Sequence, residues 1–235
     1  MSAAPSRRPS RARRALKAAV ATTALLVAFV GFLHTKAGRP ILAALGVGCP
    51  AMRVSPSEVE ALRQRALTQL RGARPAAARP ALGLALDGST EADVTSWTQV
   101  RGLRCEAGAK PTRHLTCRDV PAAALPPTDS TAPVDELSFT FFANGRLLGV
   151  ETLRRHLTGD EAARAFGAIT GALDGAVGAP TERAGTATGE YLGGGASHTA
   201  FARYRYADYL ATVTAMNLSG RVALREQYQS ARAPS

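Results

Sequence analysis

The pattern of apolar and polar positions opens with one long run and only then becomes periodic. Residues 18–33 are apolar but for Thr22, Thr23 and Gly31, and Arg7, Arg8, Arg11, Arg13, Arg14 and Lys17 stand in front of them. No acidic residue occurs before Glu58. A basic leader before an apolar core is an export signal or a signal anchor, and its charges hold the leader on the cytoplasmic side. The run falls short of the roughly 20 apolar residues of a full span. Lys17 and Lys36 can make up the difference by snorkelling. The expectation is a transmembrane helix over 18–36, retained as a single-pass anchor in a bacterial inner membrane, with the bulk of the chain periplasmic. The alternatives are a cleaved signal ending near Ala37, giving a secreted protein, and a twin-arginine signal through Arg7-Arg8 or Arg13-Arg14.

Beyond the run the periods change several times. Ser55-Pro56-Ser57-Glu58 reads as a capped helix start, and Val59, Leu62, Ala66, Leu67 and Leu70 follow at helical spacing up to Gly72. Residues 73–80 are Ala, Arg and Pro without a period, a linker. Residues 82–86 read as a strand, and Asp87-Gly88 as a turn. Ser89 or Thr90 then caps a helix with Glu91 and Asp93 in its first turn and an inner stripe of Val94, Trp97 and Val100 or Arg101. Short strands are expected at 103–106 and 113–119, and a Pro-rich loop at 121–133. A hairpin over 137–142 and 146–153 turns at Asn144-Gly145, where both residues tolerate positive φ. Thr158 and Glu161 open a third helix, with Ala162, Ala165, Phe166, Ile169, Leu173 and Val177 on one stripe and Gly178-Ala179-Pro180 as its exit. Residues 181–197 are glycine-rich. They lack the lysine and the strand-to-helix setting of a phosphate-binding loop, and read as a connection. Strands at 200–206, 209–216 and 221–228 close the chain.

This order divides the chain into a basic leader (1–17), the anchor (18–36), a juxtamembrane segment with one helix and a linker (37–81), two units of helix followed by antiparallel meander (82–156 and 157–228), and a tail (229–235). The expected fold class is α+β, the two units lying in tandem with each helix on one face of its sheet. Leu86-Asp87-Gly88-Ser89-Thr90-Glu91-Ala92-Asp93-Val94 and the exit Gly178-Ala179-Pro180-Thr181 resemble motifs of the small envelope lipoproteins of the BamE/SmpA type, and of the tandem-repeat β-lactamase inhibitor proteins that share their topology. The first unit departs from the pattern with Arg101-Gly102-Leu103 at its helix exit, and the second lacks the glycine entry. The resemblance implies a non-enzymatic binding module of the cell envelope, by analogy of fold alone.

Charge adds location rather than function. The formal net charge is +11, yet seven of the 29 Lys and Arg and none of the 18 acids lie in residues 1–36, which leaves +4 on the rest. With no basic run interleaved with aromatics, nothing points to nucleic acid. Three cysteines remain to be placed. Cys105 and Cys117 flank a turn containing Gly108 and Pro111, so a disulfide is expected between them, as an oxidising compartment permits. Zinc with His114 is the rival and lacks both spacing and a fourth ligand. Cys49 follows Leu45-Gly46-Val47-Gly48. It is a buried thiol, a link between chains, or a lipidation site too far from the apolar core.

Catalytic, metal-ligand and cofactor sets are not found: His34, His114, His156 and His198 lie in unrelated contexts, and no serine sits in a nucleophile elbow. The reading is a membrane-anchored module that binds another envelope protein, with Arg203, Tyr204, Arg205, Tyr206 and Tyr209 as the interaction surface, since Tyr and Arg are favoured at interfaces. The alternative is a secreted hydrolase or small-ligand-binding protein that uses the groove between the two units.

Overall fold

Period-two alternation runs unbroken through the last three strands, and their buried set falls on one face of one sheet. The computed structural model describes residues 32, 56–108, 113–125 and 132–232. The leader, the apolar run apart from Phe32, the first part of the juxtamembrane segment with Cys49 and Ser55, His34 and the tail beyond 232 lie outside them. In chain order the elements are α1 (Pro56–Leu70), α2 (Glu91–Val100), β1 (Cys105–Ala107), β2 (His114–Val120), a 3-10 turn (Ala122–Ala124), β3 (Val134–Phe141), β4 (Leu147–Leu157), α3 (Gly159–Val177), β5 (Glu182–Ala184), α4 (Gly189–Gly194), β6 (Thr199–Arg205), β7 (Tyr209–Leu218) and β8 (Arg221–Ser230). The strands form one antiparallel sheet in the order β1-β2-β3-β4-β8-β7-β6-β5.

This corrects the expected architecture. Two tandem units with their own meanders are replaced by one eight-stranded sheet, because β4 pairs with β8 from Gly149↔Gln229 to Leu157↔Val222. The apolar residues of both halves form a single core cluster, from Ala81 and Val94 through Phe139 and Phe166 to Tyr228. Among the described residues no helix is long and apolar enough to cross a membrane. The segment read as the anchor lies outside those residues except for Phe32.

The inner face is packed by helices. α3 lays Ala162, Ala165, Phe166, Ile169, Leu173 and Val177 on it, all buried, the stripe that a 3.6-residue period dictates. Thr158 and Glu161 close a capping box at its start. α2 has the same device in Thr90 and Asp93, and it buries Val94 while Trp97 meets the Phe139 ring edge-on at 5.9 Å. The start of α2 is fixed by the Asn144-Gly145 hairpin: Glu91 N donates to Gly145 O (3.0 Å) and Leu147 N to Ser89 O (2.8 Å).

Two stretches depart from the sequence expectation. Residues 82–86 form turns, with Leu82 and Gly83 both at positive φ; with residues 76–81 before them they make a strap tied to the sheet, where Pro80 O accepts from the Tyr209 hydroxyl (2.7 Å) and Asp208 Oδ1 from Ala76 N (2.9 Å). The glycine-rich stretch contains β5 and α4. α4 forms because Thr188 caps it and Leu192 is fully buried, while Asn217 Nδ2 donates to Leu192 O (2.7 Å). The propensity cost of its glycines, up to about 1 kcal/mol each, is met by that packing.

Candidate functional site

Among the described residues, the face opposite α2 and α3 is open. Following the register across the sheet, one row runs Glu182, Arg203, Thr212, Gln227, Glu151, Ser138, Thr116 and Glu106. The rows on either side bring up Arg205, Leu210, Gln229, Gly149, Thr140 and His114, and then Phe201, Thr214, Arg225, Leu153, Glu136 and Arg118. None of these residues is buried, whereas their sequence neighbours on the strands fill the core. α1 lies at the end of the sheet, burying Leu67 and setting Arg63 over the Phe142 ring at 4.9 Å.

Ion pairs order the side chains of this face. Arg225 grips Glu151 with two hydrogen bonds of 2.7 Å, and Gln227 Nε2 donates to the same carboxylate at 3.0 Å. Arg203 and Arg205 both donate to Glu182, at 3.0 and 2.9 Å, and the Arg203 guanidinium also lies 4.3 Å from the Phe201 ring centroid. Exposed pairs of this kind add little to stability. Their effect is to hold long side chains in one arrangement. At the centre, Gly149 leaves a dimple of about 160 Å³ lined by Thr140, Glu151, Gln227 and Gln229.

The five residues read from the sequence as one surface are divided by the alternation. Arg203 and Arg205 stand on the open face. Tyr204 and Tyr209 are fully buried on the inner face, which corrects their assignment to the surface. The Tyr204 hydroxyl donates to Asp174 Oδ1 (2.7 Å) and that of Tyr209 to Pro80 O, so both tie α3 and the strap to the sheet. Tyr206 is half-buried past the end of β6, and its hydroxyl donates to Val177 O. Burial pushes the Tyr204 and Tyr209 phenols well above their ordinary value, and Asp174 adds to the effect on Tyr204.

Cys105 and Cys117 are joined in a disulfide, directly opposite each other across β1 and β2. Beside them a cleft of about 640 Å³ lies between α2 and the β1–β2 edge, lined by Thr95, Gln99, Arg104, Cys105, Thr116 and Arg118 among others. The described histidines are apart: His114 is on β2, His156 sits at positive φ in the β4 bulge, and His198 stacks on Tyr191 at 4.4 Å. Among the described residues no three His, Cys, Asp or Glu come together as metal ligands.

The sequence offered no sign of a buried polar cluster at the join of the two halves. Arg154 and Glu226 are ion-paired with side chains 2% and 1% exposed. The Thr152 and Tyr228 hydroxyls donate to the same carboxylate at 2.8 Å each. Burial, reinforced by the neighbouring Glu226 carboxylate, drives the Tyr228 phenol well above its ordinary value. This cluster and the β4–β8 ladder occupy the place where a groove between two units was expected. In comparisons with known proteins, no family model, no curated protein and no solved structure matches the chain.

Proposed function

We propose that this protein is an exported, non-enzymatic binding module that captures another protein of the cell envelope on the open face of its sheet. One observation carries the reading: among the described residues the strands present an open face of half-exposed Arg, Gln, Thr and Glu side chains, partly ordered by ion pairs and with Phe201, Leu210 and Leu153 among its large apolar members, while the core cluster lies on the other face. Ordered arginines around a shallow central dimple suit a protein partner, since arginine is enriched where interfaces concentrate their energy. The basic leader and apolar run support export, and a disulfide fits an oxidising compartment.

The test is photo-crosslinking in the native host, with a photoreactive residue placed at Thr212 or Gln227 on the open face, or at Ala172 on the exposed side of α3. The expected result is one discrete adduct from the first two positions and none from the third. Adducts from Ala172 alone, or none from Thr212 and Gln227, would remove the open face as the docking surface.

A further inference from the structure

We propose that the Cys105–Cys117 disulfide is a redox latch on the edge of the sheet, whose reduction releases β1 and bares the outer edge of β2 while the remaining strands stay folded. This goes beyond the open-face reading and does not depend on it.

The two ends of the sheet are both three-residue strands, but they are held differently. β5 is tied by side chains and backbone at several points. Its Glu182 carboxylate takes both Arg203 and Arg205, Arg183 faces Asp174 at 3.6 Å, and Thr181 donates to Arg203 O through N (2.8 Å) and Oγ1 (3.0 Å). Among the described residues, β1 has three register positions on β2 and one further backbone bond, Gly108 N to His114 O at 2.9 Å. Its Glu106 and Ala107 are exposed. A handful of backbone bonds does not outweigh the entropy of ordering the residues that make them. The covalent bond is what confines β1 to β2. Beneath it β2 is independently secured, since six of its residues pair with β3 and Cys117 and Val120 are fully buried.

The bond is also reachable. Cys105 is half-buried and lines the cleft beside α2, whereas Cys117 is buried. A thiolate of an external dithiol can attack the Cys105 sulfur, forming a mixed disulfide as the Cys117 sulfur leaves. The dithiol's second thiolate then closes its own disulfide and frees Cys105. The dithiol is oxidised, the protein bond is reduced, and the two protons end on Cys105 and Cys117. A seven-residue strand without an outer neighbour is a template for strand addition, so the bond decides whether the sheet ends at β1 or can be extended.

The experiment is hydrogen exchange by mass spectrometry on the full chain in a Cys49→Ser background, oxidised, after reduction with a small dithiol, and as the Cys105→Ser/Cys117→Ser variant. The expected result is exchange faster by on the order of a hundredfold in β1 and the facing part of β2, with β6, β7 and β8 unchanged. Unchanged protection of β1 after reduction would show that the strand holds without the bond. Loss of protection throughout the sheet on reduction of the folded protein would show a general staple. Either result overturns the latch. If the double variant fails to fold, reduction of the folded protein still decides.

Discussion

At the residue scale the decisive feature is the charge pair in the core. Arg154 and Glu226 stand opposite each other's neighbours on β4 and β8, and Arg154 Nε is buried without a hydrogen-bond partner. Burying ions is costly, and a pair of this kind is weak evidence for stability, yet removing one partner leaves the other charged in an apolar setting. Glu226→Ala is therefore expected to destabilise by about 3–5 kcal/mol, read as a lowered urea midpoint. The double substitution Arg154→Met/Glu226→Leu should recover most of that loss. If the double variant were as unstable as the single one, the pair would be holding the fold by more than its own neutralisation. We read the cluster as specifying register. A shift of β8 by one residue against β4 would turn Glu226 to the open face and leave Arg154 unpaired in the core.

At the scale of elements, α3 carries two kinds of glycine. Gly159 lies against the backbone of α4, where an added Cβ would come 2.2 Å from Gly189 O. Gly167, Gly171 and Gly175 line the exposed side of the helix with nothing within 4 Å of an added Cβ. Glycine inside a helix costs roughly 0.5–1 kcal/mol relative to alanine. Replacing those three by alanine should raise stability by about 2 kcal/mol in total and Tm by several degrees. Gly159→Ala should lower Tm, because only backbone movement can relieve its contact. A calorimetric scan of the two variants beside the parent checks both, and a triple variant no more stable than the parent would show that the open helix face has another role. The two capping boxes belong to this scale too. The backbone N–H and hydroxyl of Thr90 and of Thr158 hold the Asp93 and Glu161 carboxyls below their usual range. Their contribution is present above the unfolded pKa of about 4 and fades as pH falls through the lower folded value.

At the scale of the whole molecule, three of the five tyrosines link separate parts of the fold from inside it. Tyr204 joins β6 to α3, Tyr209 joins β7 to the strap, and Tyr228 belongs to the β4–β8 cluster. All three phenols are raised, first by burial. The unfolded value is near 10, so their linkage stabilises fully below that pH and is lost as pH rises toward the folded values. In an alkaline titration the phenolate absorbance of these three tyrosines should appear together with loss of far-UV ellipticity, in one cooperative step. Ionisation of all five tyrosines while the sheet signal stays intact would show that the three are not sealed in the core.

Local chemistry made much of the chain legible before its structure. The 3.6-residue stripe and capping box of α3, the Asn144-Gly145 hairpin and the alternation of β6, β7 and β8 are properties of neighbouring residues, and the folded elements lie within a few positions of where those signals put them. Alternation also divides a strand into two sets, but it does not say which set faces inward. Phe201, Arg203 and Arg205 against Ala202, Tyr204 and Tyr206 is such a case: Ala202 and Tyr204 went inside, with Tyr206 half-buried, because α3 supplies Asp174 and Val177 O as partners for the two hydroxyls. The pairing of β4 with β8, which turns an expected tandem of two units into one sheet, joins residues 65 to 80 positions apart, and the Arg154–Glu226 pair spans 72. The helix in the glycine-rich stretch depends on a cavity that only the assembled sheet and α3 create. The sequence alone determined the local elements and the charge asymmetry of the leader, because those rest on short-range geometry and composition. The tertiary structure decided which face is open, which tyrosines are core and which strands are edges, because those depend on contacts between distant residues.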